Sequence, residues 1–234
     1  MVTYKRIDDM PSMTINGWAV VSARDLPCKA CGLCCTRFEA VDLHVANVVD
    51  MARFLGTGPR AFMERYCDRL VDGEAASFAL AIGGGCPFSE RGRCAIYPVR
   101  TDTCALFPFD YPGLNLSRQV KADMAEFGTC FVHALPDDLI IVPDIERIVT
   151  SRILFMVKEM YLARHGAEYD EHGLAASYRS GQAQAANPHM REVVHRKLLN
   201  DMIRHAPADP ATKRPLLTAG EITEIYDHMR DKGK

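Results

Sequence analysis

Apolar positions recur at helical spacing through two long parts of the chain, with a less regular segment between them. Val41, Val45, Val48, Ala52 and Leu55 return every three or four residues, which predicts a helix stopped by Gly56. Thr57-Gly58-Pro59 opens a second helix, because proline's fixed φ suits the first helical position. Its apolar face is Phe62, Met63, Tyr66 and Leu70, and the two helices are expected to form a hairpin. Residues 76–82 form a short apolar run, read as a strand or buried connector, that ends at Gly83-Gly84-Gly85. Residues 89–92 read as a turn, and Pro98, Pro108 and Pro112 keep the following stretch irregular. Residues 1–27 have a mixed pattern, expected to pack as an irregular arm or short strand.

The pattern changes at Pro143. Ile145, Ile148, Val149, Ile153, Met156, Val157 and Met160 mark one face of a long helix, which Gly166 is expected to cap. Residues 166–187 read as a flexible connector. Asn187-Pro188 opens another helix, with Met190, Val194, Leu198 and Met202 at four-residue spacing. Thr218 and Glu221 form a capping box for the last one, whose face is Ile222, Ile225, Tyr226 and Met229. These elements predict an α-rich α+β fold with few short strands. The expected organisation is an irregular cysteine-cluster domain over residues 1–136 and a helical region over residues 137–234.

Composition narrows the class. The chain has 234 residues, 48% hydrophobic and 25% charged, the balance of an ordinary globular protein. A formal charge of −2 gives no electrostatic footprint for nucleic acid, so no nucleic-acid partner is expected. The longest uncharged stretch, residues 75–89, is interrupted by glycines and falls short of the roughly 20 apolar residues of a membrane span. Trp18-Ala19-Val20-Val21 is too short for the apolar core of a signal peptide. The expectation is a cytoplasmic protein with no membrane partner.

The candidate chemistry lies in nine cysteines, all between positions 28 and 130. Clustered thiols without an export signal point to metal ligation rather than disulfides, because the cytosol keeps thiols reduced. The first four read Cys28-Lys29-Ala30-Cys31-Gly32-Leu33-Cys34-Cys35. Two thiolates in C-x2-C fold around one ion, and Gly32 lets the loop turn tightly. Adding Cys34 reproduces the opening of the bacterial ferredoxin run. Adjacent Cys34 and Cys35 point different ways, so one is expected to face another site or another edge of a cluster. Cys86, Cys94, Cys104 and Cys130 complete eight candidate ligands, enough for two four-thiolate sites or for one cluster with thiols to spare. Cys67 follows an apolar helical stripe and reads as a core cysteine. His133, three residues beyond Cys130, is a possible ligand but fits a surface or packing role better.

The cysteine pattern resembles the YkgJ-like family, a zinc- or iron-chelating domain named for its CxxCxxCC motif. That family shows C-x2-C-x2-C-C, a helical segment, a Cys-Pro, then C-x-I-Y-x-x-R-P-x-x-C-R-x-F-P and often a later cysteine. Here the pattern runs through Cys28 to Cys35, Cys86-Pro87, Cys94-Ala95-Ile96-Tyr97, Arg100, Cys104, Phe107-Pro108 and Cys130. Thr101 stands where the family has proline, and Ala105 where it has arginine. The resemblance implies metal chelation and no particular reaction. It makes Arg100 the candidate to balance charge beside the cofactor, with the second arginine missing.

No G-x-S-x-G elbow, dinucleotide glycine fingerprint or complete phosphate loop occurs, and no catalytic pair stands out. The function expected is therefore binding of an iron–sulfur cluster or clusters, [4Fe–4S] by the opening run, in redox chemistry or electron transfer with a protein partner. A zinc-binding structural or interaction module is the alternative, since tetrahedral thiolates accept either metal. A metal-supported enzyme is a weaker third reading. The sequence names neither the partner nor the oligomeric state.

Overall fold

A computed structural model describes residues 12–26, 32, 35, 40–72, 75–81, 85–90, 93–109, 113–127, 130–165, 171–209 and 212–232. The strands in chain order are β1 (Ser12–Ile15), β2 (Trp18–Ser22), β3 (Ala40–Asp42), β4 (Cys67–Asp72), β5 (Ala75–Ala81), β6 (Ser89–Glu90), β7 (Arg93–Cys94), β8 (Asn115–Leu116) and β9 (Leu139–Val142). The helices are α1 (Val45–Phe54), α2 (Pro59–Tyr66), α3 (Asp102–Leu106), α4 (Ser117–Asp123), α5 (Ile145–His165), α6 (Glu171–Ala186), α7 (Pro188–Arg204) and α8 (Ala219–Lys232). This is the α-rich α+β class expected from the pattern. Among the described residues no helix is long and apolar enough to cross a membrane.

The chain divides into two compact units, and each draws on residues from both sides of position 136. One unit comprises Met1–Lys29, Leu106–Ile148 and His195–Lys234. Its sheet has the order β1-β2-β9-β8. Asn16 and Gly17 turn β1 into β2 with φ of 49° and 81°, the left-handed pair of a tight hairpin turn. The parallel pairing of β2 with β9 sets Ala19 beside Leu139 and Ser22 beside Val142. All four β9 residues are buried, which explains its uninterrupted Leu-Ile-Ile-Val sequence. Ser117 holds the turn before this strand, donating to the Pro136 carbonyl and accepting from the Leu139 N–H. In α8 the capping box forms as expected: Thr218 N–H donates to Glu221 Oε2 at 2.7 Å, and Glu221 N–H donates back to Thr218 Oγ1 at 3.3 Å.

The second unit comprises Ala30–Ala105 and Val149–Val194. Its sheet places β5 between β3 and β4, both antiparallel to it. Val41, Leu43, Val48, Met51, Phe62, Phe78, Leu80, Phe88 and Ile96 form one buried core. Tyr66 closes it with its ring centroid 4.9 Å from that of Phe88. Lys158 of α5 is buried, with Nζ 2.5 Å from Asp42 Oδ1 and 2.9 Å from the Leu43 carbonyl.

Four expectations change. Val41 belongs to β3, not to the first helix, and Leu70 belongs to β4 because α2 ends at Tyr66. The proline-rich stretch contains α3 as well as irregular chain. Residues 171–186, within the expected connector, form α6. That helix is rich in alanine, serine and glycine, so it shows little apolar stripe. Its small residues allow close packing instead: a Cβ added at Gly181 would lie 2.9 Å from Leu154 Cδ2 of α5.

Candidate metal centre

Cys35 and Cys86 meet although 50 positions separate them, the Cys35 thiol hydrogen-bonding to the Cys86 sulfur. Each sits at a glycine-assisted turn. Gly32 has φ of 73°, and the Cys35 N–H closes a turn onto its carbonyl at 3.0 Å. Gly85 has φ of 118° just before Cys86, and the Ser89 N–H returns to the Cys86 carbonyl at 3.0 Å. Both glycine conformations are strained for residues with a Cβ.

The Cys86 sulfur also accepts hydrogen bonds from the Phe88 and Ser89 backbone N–H groups. The Cys35 contact, followed by these N–H groups, brings the Cys86 thiol down to about 6 against the opposing effect of burial. Cys67 has the opposite environment. Burial, with the neighbouring Asp68 carboxylate, pushes its thiol up to about 12.

Cys94 follows directly. It ends β7, where Ser89 of β6 is its paired partner, so the short hairpin joins the Cys86 turn to Cys94. The chain then passes through buried Ile96 and a helical turn at Tyr97–Val99. Arg100 lays its guanidinium carbon 3.8 Å from the centre of the Tyr97 ring, and its Nε and Nη1 atoms are buried.

Thr101 gives the departure from the family pattern a physical role. It is buried, its Oγ1 accepts the Cys104 N–H at 3.0 Å, and its carbonyl accepts the Ala105 N–H at 3.0 Å. It therefore caps α3, the helix that bears Cys104. The next residue, Asp102, is held by His44: Nε2 lies 2.7 Å from Asp102 Oδ2. His44 Nδ1 accepts the Asn47 N–H at 3.2 Å, which leaves Nε2–H to donate to the carboxylate. One imidazole thus caps α1 and anchors α3.

His44, Thr101 and Asp102 were missed as site residues in the sequence. Thr-Asp ahead of a cysteine was a readable capping signal, whereas the pairing with His44 spans 58 positions and left none.

Cys67, Cys86, Cys94 and Cys104 are partly buried against the same core of the second unit. Cys28, Cys31 and Cys34 lie outside the described residues. Cys130 belongs to the other unit, where it precedes a helical turn at Phe131–Ala134. In that turn His133 Nε2 lies 2.9 Å from the Met124 carbonyl, a packing role for one ring nitrogen. Among the described residues no group of three or more His, Cys, Asp or Glu side chains has an arrangement fit to hold a metal ion.

Comparison with known families agrees with the cysteine order. Residues 27–130 match the family model described as "CxxCxxCC: Putative zinc- or iron-chelating domain". No curated protein and no solved structure matches the chain. The matched segment contains the Cys35–Cys86 contact and the turns that build it, so residues 27–130 are similar to the CxxCxxCC domains that the family model describes as zinc- or iron-chelating.

Proposed function

We propose that this chain holds an iron–sulfur cluster or clusters, with ligands drawn from Cys28, Cys31, Cys34, Cys35, Cys86, Cys94, Cys104 and Cys130, and passes electrons to or from a protein partner. The observation that carries the reading is the contact of Cys35 with Cys86, which joins the four-cysteine motif to the Cys-Pro motif. The donors fit the group: Cys86 receives N–H bonds from Phe88 and Ser89, and such bonds to sulfur help set cluster potentials. A bound cluster would supply one-electron chemistry. The C-x2-C-x2-C opening favours iron–sulfur over zinc. Arg100, with buried guanidinium nitrogens, would balance thiolate charge.

Anaerobic purification with metal analysis and an absorption spectrum tests this. The expected product is brown, with iron and acid-labile sulfide, broad absorbance near ~400 nm and colour lost in air. A colourless protein carrying about two zinc ions per chain would overturn the electron-transfer reading and leave a structural thiolate site.

A further inference from the structure

Helix α5 turns a charged residue inward and apolar ones outward. Lys158 is 2% exposed, whereas Met156 and Met160 are 41% and 64% exposed. Lysine is almost never fully buried unless paired, because taking its charge out of water is costly. Its partners account for its place. Nζ lies 2.5 Å from Asp42 Oδ1 and donates to the Leu43 carbonyl at 2.9 Å. It also lies 5.0 Å from the centre of the Phe78 ring and 5.1 Å from that of Phe155. We propose that Lys158 is a positioning residue for the cysteine site. From outside the matched segment 27–130, it sets the orientation of His44 and, through Asp102, of the helix that bears Cys104. The proposal rests on the reading of Cys104 as a metal ligand and extends it.

The Leu43–His44 peptide carries the argument. Lys158 holds its carbonyl, and its N–H, that of His44, donates to Asn47 Oδ1 at 3.4 Å. The peptide from which the imidazole projects is thus fixed at both ends. The ring is held as well. Phe155, one turn before Lys158 on α5, meets it edge-to-face with ring centroids 5.2 Å apart. One stretch of α5 therefore grips His44 at its main chain and at its side chain. His44 Nε2 then reaches Asp102 Oδ2 at 2.7 Å, two residues ahead of Cys104. All of these residues belong to the second unit. A methionine would fill similar space without burying a charge, so packing alone does not call for the ammonium.

The test uses the full chain, loaded with the metal it carries on purification and, separately, stripped of it. The Asp42 side chain is 48% exposed, so Lys158→Met leaves a hydrated carboxylate and is expected to fold, as circular dichroism checks. In the metal-free chain, Lys158→Met should speed amide hydrogen exchange in α3. In the loaded chain it should release metal to EDTA about ten-fold faster than wild type, the order of loss when a ligand's supporting residue is removed. A route through His44 makes the two substitutions non-additive: Lys158→Met combined with His44→Asn should do little more than His44→Asn alone. Phe155→Leu, which keeps apolar bulk but takes the ring from His44, should move both readouts the same way by less. Wild-type α3 exchange and metal release in a folded Lys158→Met would overturn the proposal. So would additive effects of Lys158→Met and His44→Asn, which would make Lys158 a packing residue. If Lys158→Met does not fold, Phe155→Leu decides by the same readouts. A wild-type chain that holds no metal would overturn the metal reading, while α3 exchange would still decide whether Lys158 positions α3.

Discussion

Cys67 and Cys86 pack against the same hydrophobic core, yet their thiols move in opposite directions because only Cys86 is given donors. A group whose charged form is disfavoured by burial stays a thiol at neutral pH and makes a poor ligand. Cys67→Ser is therefore expected to leave metal content unchanged and to cost about 1 kcal/mol of stability. Cys104→Ser should lower metal content, since a neutral hydroxyl replaces a candidate thiolate. Metal analysis of the two variants side by side decides; equal loss would show that Cys67 is a ligand. Arg100→Met should lose metal to a chelator about ten-fold or more faster than wild type if the buried guanidinium balances the thiolates. Unchanged resistance would leave Arg100 with a packing role, such as its stacking on Tyr97. At this scale the cysteine order matched by the family model was legible, because residue type and spacing are local properties. The Cys35–Cys86 contact was not legible, since nothing local encodes which turn faces which.

Among the elements, α3 shows how a five-residue helix is made rigid enough to present a cysteine. A helix this short is unstable alone, so its position rests on the Thr101 cap and on the His44–Asp102 bond. His44→Ala removes a cap and leaves the Asp102 carboxylate without this partner. It should cost about 1–2 kcal/mol and reduce metal retention. His44→Asn separates the two effects, because asparagine can still cap α1 but cannot reproduce the bond to Asp102. Retention equal to wild type in His44→Asn would show that α3 does not need the anchor.

In α8, hydrogen bonds from the Thr218 N–H and hydroxyl hold Glu221 below the usual carboxylate range. A depressed carboxyl contributes stability that is present above its unfolded value of 4.5 and lost as pH falls through the folded value. The stability gap between wild type and Glu221→Gln, measured by thermal melts, should therefore shrink under acid. This capping box was visible in the sequence because both partners lie within one turn. Helix α6 was not visible, because its alanines and glycines mark close packing rather than an apolar stripe, and that packing depends on Leu154 of another helix.

On the scale of the whole molecule, each compact unit is assembled from separated stretches of chain. Strand β2 pairs with β9 across about 120 residues of sequence, and the second unit joins Ala30–Ala105 to Val149–Val194. Hydrophobic period reports which face of an element is buried, and it carries no label for the distant element that buries it. The amphipathic helices and the α-rich class were therefore readable in the sequence, whereas α3, α6 and the order of strands in the sheets were not.

The same division separates two sources of stability. The first unit buries continuous aliphatic chain, with Leu139, Ile140, Ile141 and Val142 at 1% exposure or less, together with Ile222, Ile225 and Tyr226 of α8. In the second unit, by contrast, the candidate ligands Cys86, Cys94 and Cys104 lie on the core itself. Bound metal in small thiolate sites is worth about 10–16 kcal/mol, as much as the roughly 5–15 kcal/mol of a whole domain. Demetallation by chelator should therefore speed amide hydrogen exchange most in β6, β7 and α3, while β9 and α8 keep their protection. Hydrogen exchange read by mass spectrometry, with and without metal, resolves these segments. Unchanged exchange at β6, β7 and α3 after complete metal removal would show that the hydrophobic core, and not the metal, holds the cysteine loops.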